Sequence, residues 1–148
     1  MTLPPRVGHG VLLLDKPLGL SSNQALSRLK RLFSYKKIGH TGCLDPLATG
    51  MLPVCFGDST KFSHQGLEAN KTYEAVLRLG VTTSTGDREG QILAQKPVQV
   101  TLEQVLQALK AHEGELWQVP PMMSALKHQG QPLYRLARQG IAIERQPR

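Results

Sequence analysis

Apolar residues run from Val11 to Leu14 and stop at Lys16-Pro17-Leu18-Gly19, which predicts a short strand broken by a turn. Ser21 or Ser22 then offers a helix cap. Ala25, Leu26, Leu29, Leu32 and Phe33 fall on one face at helical spacing, with Arg28, Lys30 and Arg31 off it. From Ile38 to Gly57 the periodicity is lost. Glycines 39, 42, 50 and 57 and prolines 46 and 53 predict a long shaped loop, with one strand at Leu52 to Phe56. Tyr73, Ala75, Leu77 and Leu79 alternate with Glu74, Val76 and Arg78, the pattern of a strand with one mainly apolar face. A turn from Thr82 to Gly90 predicts a hairpin that returns over Gln91 to Ala94. Thr101 and Gln104 make a capping box before Leu102, Val105, Leu106 and Leu109, and Gly114 offers a stop. A short strand at Leu116 to Val119, a turn at Gln129-Gly130-Gln131-Pro132 and a helix from Leu133 to Arg138 ended by Gly140 complete the series. The alternating pattern begun at Ile141 runs to Arg148.

Strands and helices mix here without βαβ alternation. The predicted class is α+β with a mainly antiparallel sheet and flanking helices. A length of 148 residues with 40% hydrophobic content suits one globular domain with a real core. No apolar run approaches a bilayer span, and MTLPPRVGHG has no signal-peptide core, so the expected setting is cytoplasmic. Cys43 and Cys55 lack metal-ligand spacing and are expected as reduced thiols, Cys43 a small buried one.

The net charge of +7 favours an anionic partner. Its distribution is more informative. No carboxylate stands between Asp15 and Asp45, whereas Lys16, Arg28, Lys30, Arg31, Lys36 and Lys37 do. A second basic stretch, Lys127 to Arg148, is opposed only by Glu144. Two such stripes suit a phosphate backbone met at two places; each alone also fits a solvated face. Just downstream of the first stripe lies Gly39-His40-Thr41-Gly42-Cys43-Leu44-Asp45-Pro46-Leu47-Ala48-Thr49-Gly50. Pro46 restricts the Asp45 backbone to extended conformations and so directs its carboxylate. Such a group serves as a nucleophile towards a sugar or base carbon, or else caps a turn. Cys43 near His40 has no evident third residue to orient a thiol nucleophile.

GHTGCLDPLATGML resembles the signature loop of TruB-type pseudouridine synthases. LLLDKPLGLSS, KTYEAVLRLG, TSTGDREG and PPMMSALKHQGQPLYRLARQG are similar, in order, to further blocks of that family. The resemblance implies its catalytic fold and the isomerisation of a T-arm uridine, position 55 of tRNA, to pseudouridine. It gives Asp45 the role of the catalytic aspartate, with attack on the sugar, attack on the base and a glycal route all open. Tyr73 matches the tyrosine that stacks on the target base; without that context it reads as a core aromatic. His40 matches a histidine that enters the T loop. Asp87 matches an aspartate in a network around the nucleophile, and serves equally as a turn former. Lys16, Lys61 and Lys127, with Lys36, Lys37 and Arg138, are candidate RNA contacts, and Lys16 serves equally as a structural lysine. Neither metal nor organic cofactor is expected, and the protein is expected to be a monomer.

The resemblance also implies that residues 1–148 are the N-terminal part of the catalytic domain, with a thumb-like RNA-binding insertion at about 120–140. Family members continue to a Gly-Thr-Tyr-Ile-Arg-like motif, whose arginine pairs with the aspartate, and to a small C-terminal RNA-binding domain. Neither is in this chain, so it is expected to be weakly active or inactive by itself. The alternatives are a non-catalytic RNA-binding fragment and an RNA-guided enzyme of the Cbf5/dyskerin type.

Overall fold

The computed structural model describes residues 8–148; part of the N-terminal stretch read as lacking a leader lies outside them. The chain forms two units, divided after Glu74.

In the first unit the elements are β1 (Gly10–Lys16), α1 (Ser22–Phe33), β2 (Ile38–His40), β3 (Gly50–Phe56), a 3-10 helix (Gly57–Phe62) and α2 (Ser63–Glu68). The strands form one antiparallel sheet in the order β1-β3-β2. Alternation along β3 sends Leu52, Val54 and Phe56 to one face. There they pack against Leu14, Leu26, Leu29, Phe33, Tyr35, Ile38 and Leu44. The Phe33 ring meets that of Phe56 edge-on at 5.9 Å, and the Tyr35 ring lies tilted 4.7 Å from it. Helix α1 begins at Ser21, whose hydroxyl accepts the Gln24 amide while the Gln24 side chain accepts the Ser21 amide.

The expected long loop is thus shorter than predicted, because its two ends are strands. β3 occupies the sheet centre although it contains Pro53, a residue that normally avoids such a place. The register resolves this. The Pro53 carbonyl accepts the Thr41 amide at 3.1 Å, so the missing N–H faces the side where β2 has ended at His40. The chain departs from the sheet at Thr41.

The second unit contains β4 (Val81–Thr83) and β5 (Ile92–Gln95), antiparallel with a bulge at Thr82/Thr83, and α3 (Leu102–Lys110) with its Thr101/Gln104 capping box. A two-residue turn at Gln129-Gly130, both at positive φ, joins β6 (Lys127–His128) to β7 (Gln131–Pro132). α4 (Leu133–Arg138) follows. It closes with Gly140 at φ 75, its amide on the Ala137 carbonyl and the Ile141 amide on that of Leu136. Leu133 is buried, and the Leu133 and Tyr134 amides reach back to Leu126 and Ser124.

The α+β class and the antiparallel pairing match expectation. Three expected strands do not form. Residues 73–79 have no ladder, and Val76 is 96% exposed; β4 starts at Val81 instead. Leu116–Val119 and 141–148 are likewise not strands, although Gln118 and Arg148 exchange two backbone hydrogen bonds. Alternation marks a segment fit for a sheet, but a strand exists only where a neighbour satisfies its backbone.

Candidate active site

The loop of residues 41–49 is held at three points. Thr41 is tied to Pro53 as described. At the middle, the Ser22 hydroxyl accepts the Leu44 amide at 2.8 Å and donates to the Leu44 carbonyl at 3.1 Å. Ser22 is buried, so this bond pair is protected from water. Further on, the Gly19 amide donates to the Pro46 carbonyl at 2.7 Å. Asp45 stands between the last two anchors with an exposed side chain, and its carbonyl accepts the Ala48 amide at 3.0 Å in a turn. The result is a carboxylate presented to solvent on a fixed backbone.

His40 ends β2, with Nε2 3.4 Å from Asn23 Oδ1 on α1. Its Nδ1 is buried and has no hydrogen-bond partner among the described residues. Lys16 departs from its expectation as an RNA contact. It is fully buried, and Nζ donates to the carbonyls of Pro17 (3.0 Å) and Leu20 (2.6 Å). It therefore organises the turn from which Gly19 reaches Pro46, and its ammonium is not presented to a phosphate.

The other named residues stand on other segments of the chain. Lys61 lies on the 3-10 helix, where Nζ is 3.3 Å from Asp58 Oδ1. Its hydrogen bond, ahead of the charges of Lys61 and Lys37, holds the Asp58 carboxyl below the usual range. His9 Nδ1 lies 3.7 Å from Asp58 Oδ2 and also accepts the Asp58 amide at 2.9 Å. That amide bond makes Nδ1 a lone-pair acceptor, so the contact with Oδ2 is not an ion pair. Tyr73 lies in the irregular stretch after α2 and is 68% exposed. In the second unit, Asp87 accepts hydrogen bonds from the Thr85 hydroxyl and the Glu89 amide, and these lower its carboxyl pKa in that order of importance. Lys127 is exposed on β6. Cys43, expected as a buried thiol, is exposed. Cys55 is buried, which raises its thiol pKa and keeps it protonated. Among the described residues no three His, Cys, Asp or Glu side chains group as a metal site, and no helix is long and apolar enough to cross a membrane.

Sequence reasoning missed the second roles of Ser22 and Asn23. Ser22 was visible only as a cap candidate, and its partner Leu44 is 22 residues away.

Residues 30–148 match the family model described as TruB family pseudouridylate synthase, N-terminal domain. The chain belongs to the TruB family. Among its TruB relatives, tRNA pseudouridine synthase B of Dechloromonas aromatica is 62% identical over 139 residues, covering 94% of this chain and 46% of the relative. The protein of the same name from Ralstonia nicotianae is 62% identical over 145 residues, covering 98% and 46%. This TruB chain thus spans just under half the length of these relatives. A solved Cbf5–Nop10–Gar1 complex contains a similar chain, at 27% identity and a TM-score of 0.53, covering 80% of this chain and 31% of that one.

Proposed function

We propose that this chain is the N-terminal part of an enzyme that isomerises uridine 55 in the T arm of tRNA, with Asp45 as its catalytic carboxylate. In that reaction the N1–C1′ bond breaks, the uracil turns and C5 bonds to C1′. C5 loses a proton and N1 gains one, so the composition is unchanged. No redox partner or transferred group is required, and none of the residues proposed here needs a metal or organic cofactor. The reading has the enzyme working as a cytoplasmic monomer.

The observation that carries this reading is the exposed Asp45 carboxylate on a loop anchored at Thr41, Leu44 and Pro46. Such anchoring supplies pre-organisation: a group held in place needs little rearrangement when its target arrives. The target uridine must leave its stack to reach the carboxylate, at roughly a few kcal/mol. His40 takes part in holding the T loop open, Tyr73 stacks on the extruded base, and Asp87 supports the surroundings of the nucleophile. Lys61 and Lys127 contact the RNA backbone. The segment at about 120–140, which includes the β6–β7 hairpin and α4, acts as an RNA-gripping thumb.

The test is Asp45→Asn in the full-length protein, assayed in single turnover on a T-arm stem–loop. Pseudouridine formation is expected to be abolished while RNA binding persists; conversion at the normal rate overturns the proposal. RNA affinity without isomerisation by the unsubstituted protein would mark a binding module, and a need for guide RNA an enzyme of the Cbf5 type.

A further inference from the structure

Helix α1 carries a feature that none of the roles above uses. An open groove of about 340 Å³ lies along its outer side, lined by Leu20, Asn23, Gln24, Ser27, Arg28 and Arg31. Asn23, Ser27 and Arg31 form one row at four-residue spacing, and Gln24 and Arg28 begin the next. The groove is the channel between the rows. Both arginines are exposed, and among the described residues neither has an ion-pair partner. The segment from Lys16 to Leu44 holds no carboxylate that could neutralise them. The Ser27 hydroxyl donates to the Asn23 carbonyl within the row.

The groove also has a fixed relation to Asp45. Ser22, in the first turn of α1, holds both polar groups of the Leu44 backbone. Arg28 and Arg31 follow Ser22 by six and nine residues, or about 9 and 13 Å along the helix axis. His40, bonded to Asn23, stands at the near end.

We propose that this groove binds the sugar–phosphate backbone of the substrate RNA beside the extruded uridine, with Arg28 and Arg31 each engaging a phosphate. The proposal rests on the RNA-modifying function proposed above and adds a binding site to it. Guanidinium groups suit the task through planar, charge-assisted donation to phosphate oxygens. Contacts of this kind position a ligand and carry no sequence information, as recognition by RNA shape requires.

The experiment measures binding of the full-length protein to a T-arm stem–loop RNA across a salt series. Neutralising a phosphate contact removes roughly 0.7 to 0.9 from the slope of log affinity against log salt. The pair Arg28→Gln/Arg31→Gln is therefore expected to flatten the slope by about 1.4 to 1.8. That weakens binding roughly 25- to 60-fold near 0.1 M salt, with the curves converging near 1 M. Arg28→Lys/Arg31→Lys restores the slope. Ser27→Glu, which puts a carboxylate into the channel, weakens binding without removing either arginine. Lys96→Gln/Lys110→Gln in the second unit is the control for net charge. An unchanged slope in the arginine pair, or an equal flattening in the control pair, overturns the groove. If the unsubstituted protein neither binds nor isomerises the RNA, the function fails and the groove with it; if it does both, the arginine result judges the groove alone.

Discussion

Lys16 shows how far the role of a charged side chain depends on where its end points. In sequence it heads a basic stripe; in the fold its ammonium is buried against the carbonyls of Pro17 and Leu20. Replacing it with methionine keeps the stem but leaves those carbonyls without their donor. Hydrogen bonds to a charged group are worth about 1.5–3 kcal/mol. Lys16→Met in the full-length protein is expected to lower stability by about that amount in denaturant melts, while the salt slope of RNA binding stays as it was. A flattened slope with unchanged stability would instead return Lys16 to the RNA. Asp45 was more legible. The glycine-punctuated loop and the proline after it marked a shaped presentation, and the motif match singled out the carboxylate. The anchors of that presentation were not legible, since Ser22 and Leu44 meet only through tertiary structure.

At the scale of elements, local signals served well where local chemistry decides. The Thr101 capping box, the Gln129-Gly130 turn and the glycine-terminated α4 formed where predicted, and of the two cap candidates Ser21 and Ser22 it is Ser21 that caps α1. The segments that failed, 73–79, 116–119 and 141–148, are those whose state depends on a neighbour. Helix α2 illustrates a constraint of a third kind. A Cβ on Gly66 would lie 2.5 Å from Thr41 Cβ, where the loop of residues 41–49 begins. The glycine weakens the helix by about 1 kcal/mol relative to alanine. Gly66→Ala is nevertheless expected to destabilise the protein by about 1–3 kcal/mol, because overpacking against the buried Thr41 outweighs the propensity gain. The same substitution should slow pseudouridine formation by displacing the loop; thermal melts and single-turnover rates check the two effects separately. An increase in melting temperature at full activity would show that α2 yields instead.

At the scale of the whole chain, two units with their own hydrogen bonds are joined through residues that make little regular structure. From Asn70 to Leu79 the chain is exposed and belongs to no helix or ladder. Trypsin under native conditions is expected to cut there first, at Lys71 or Arg78, before the arginines of α1. Mass spectrometry of the earliest fragments checks the order, and first cuts at Arg28 or Arg31 would count against it. The hydroxyl of Ser22 works across a different span. Because it grips Leu44 by both its donor and its acceptor, the first turn of α1 and the peptide before Asp45 move as one body. Any tug on that helix from a bound strand is felt by the carboxylate, so grip and reaction cannot be tuned apart by substitutions on either side of that serine.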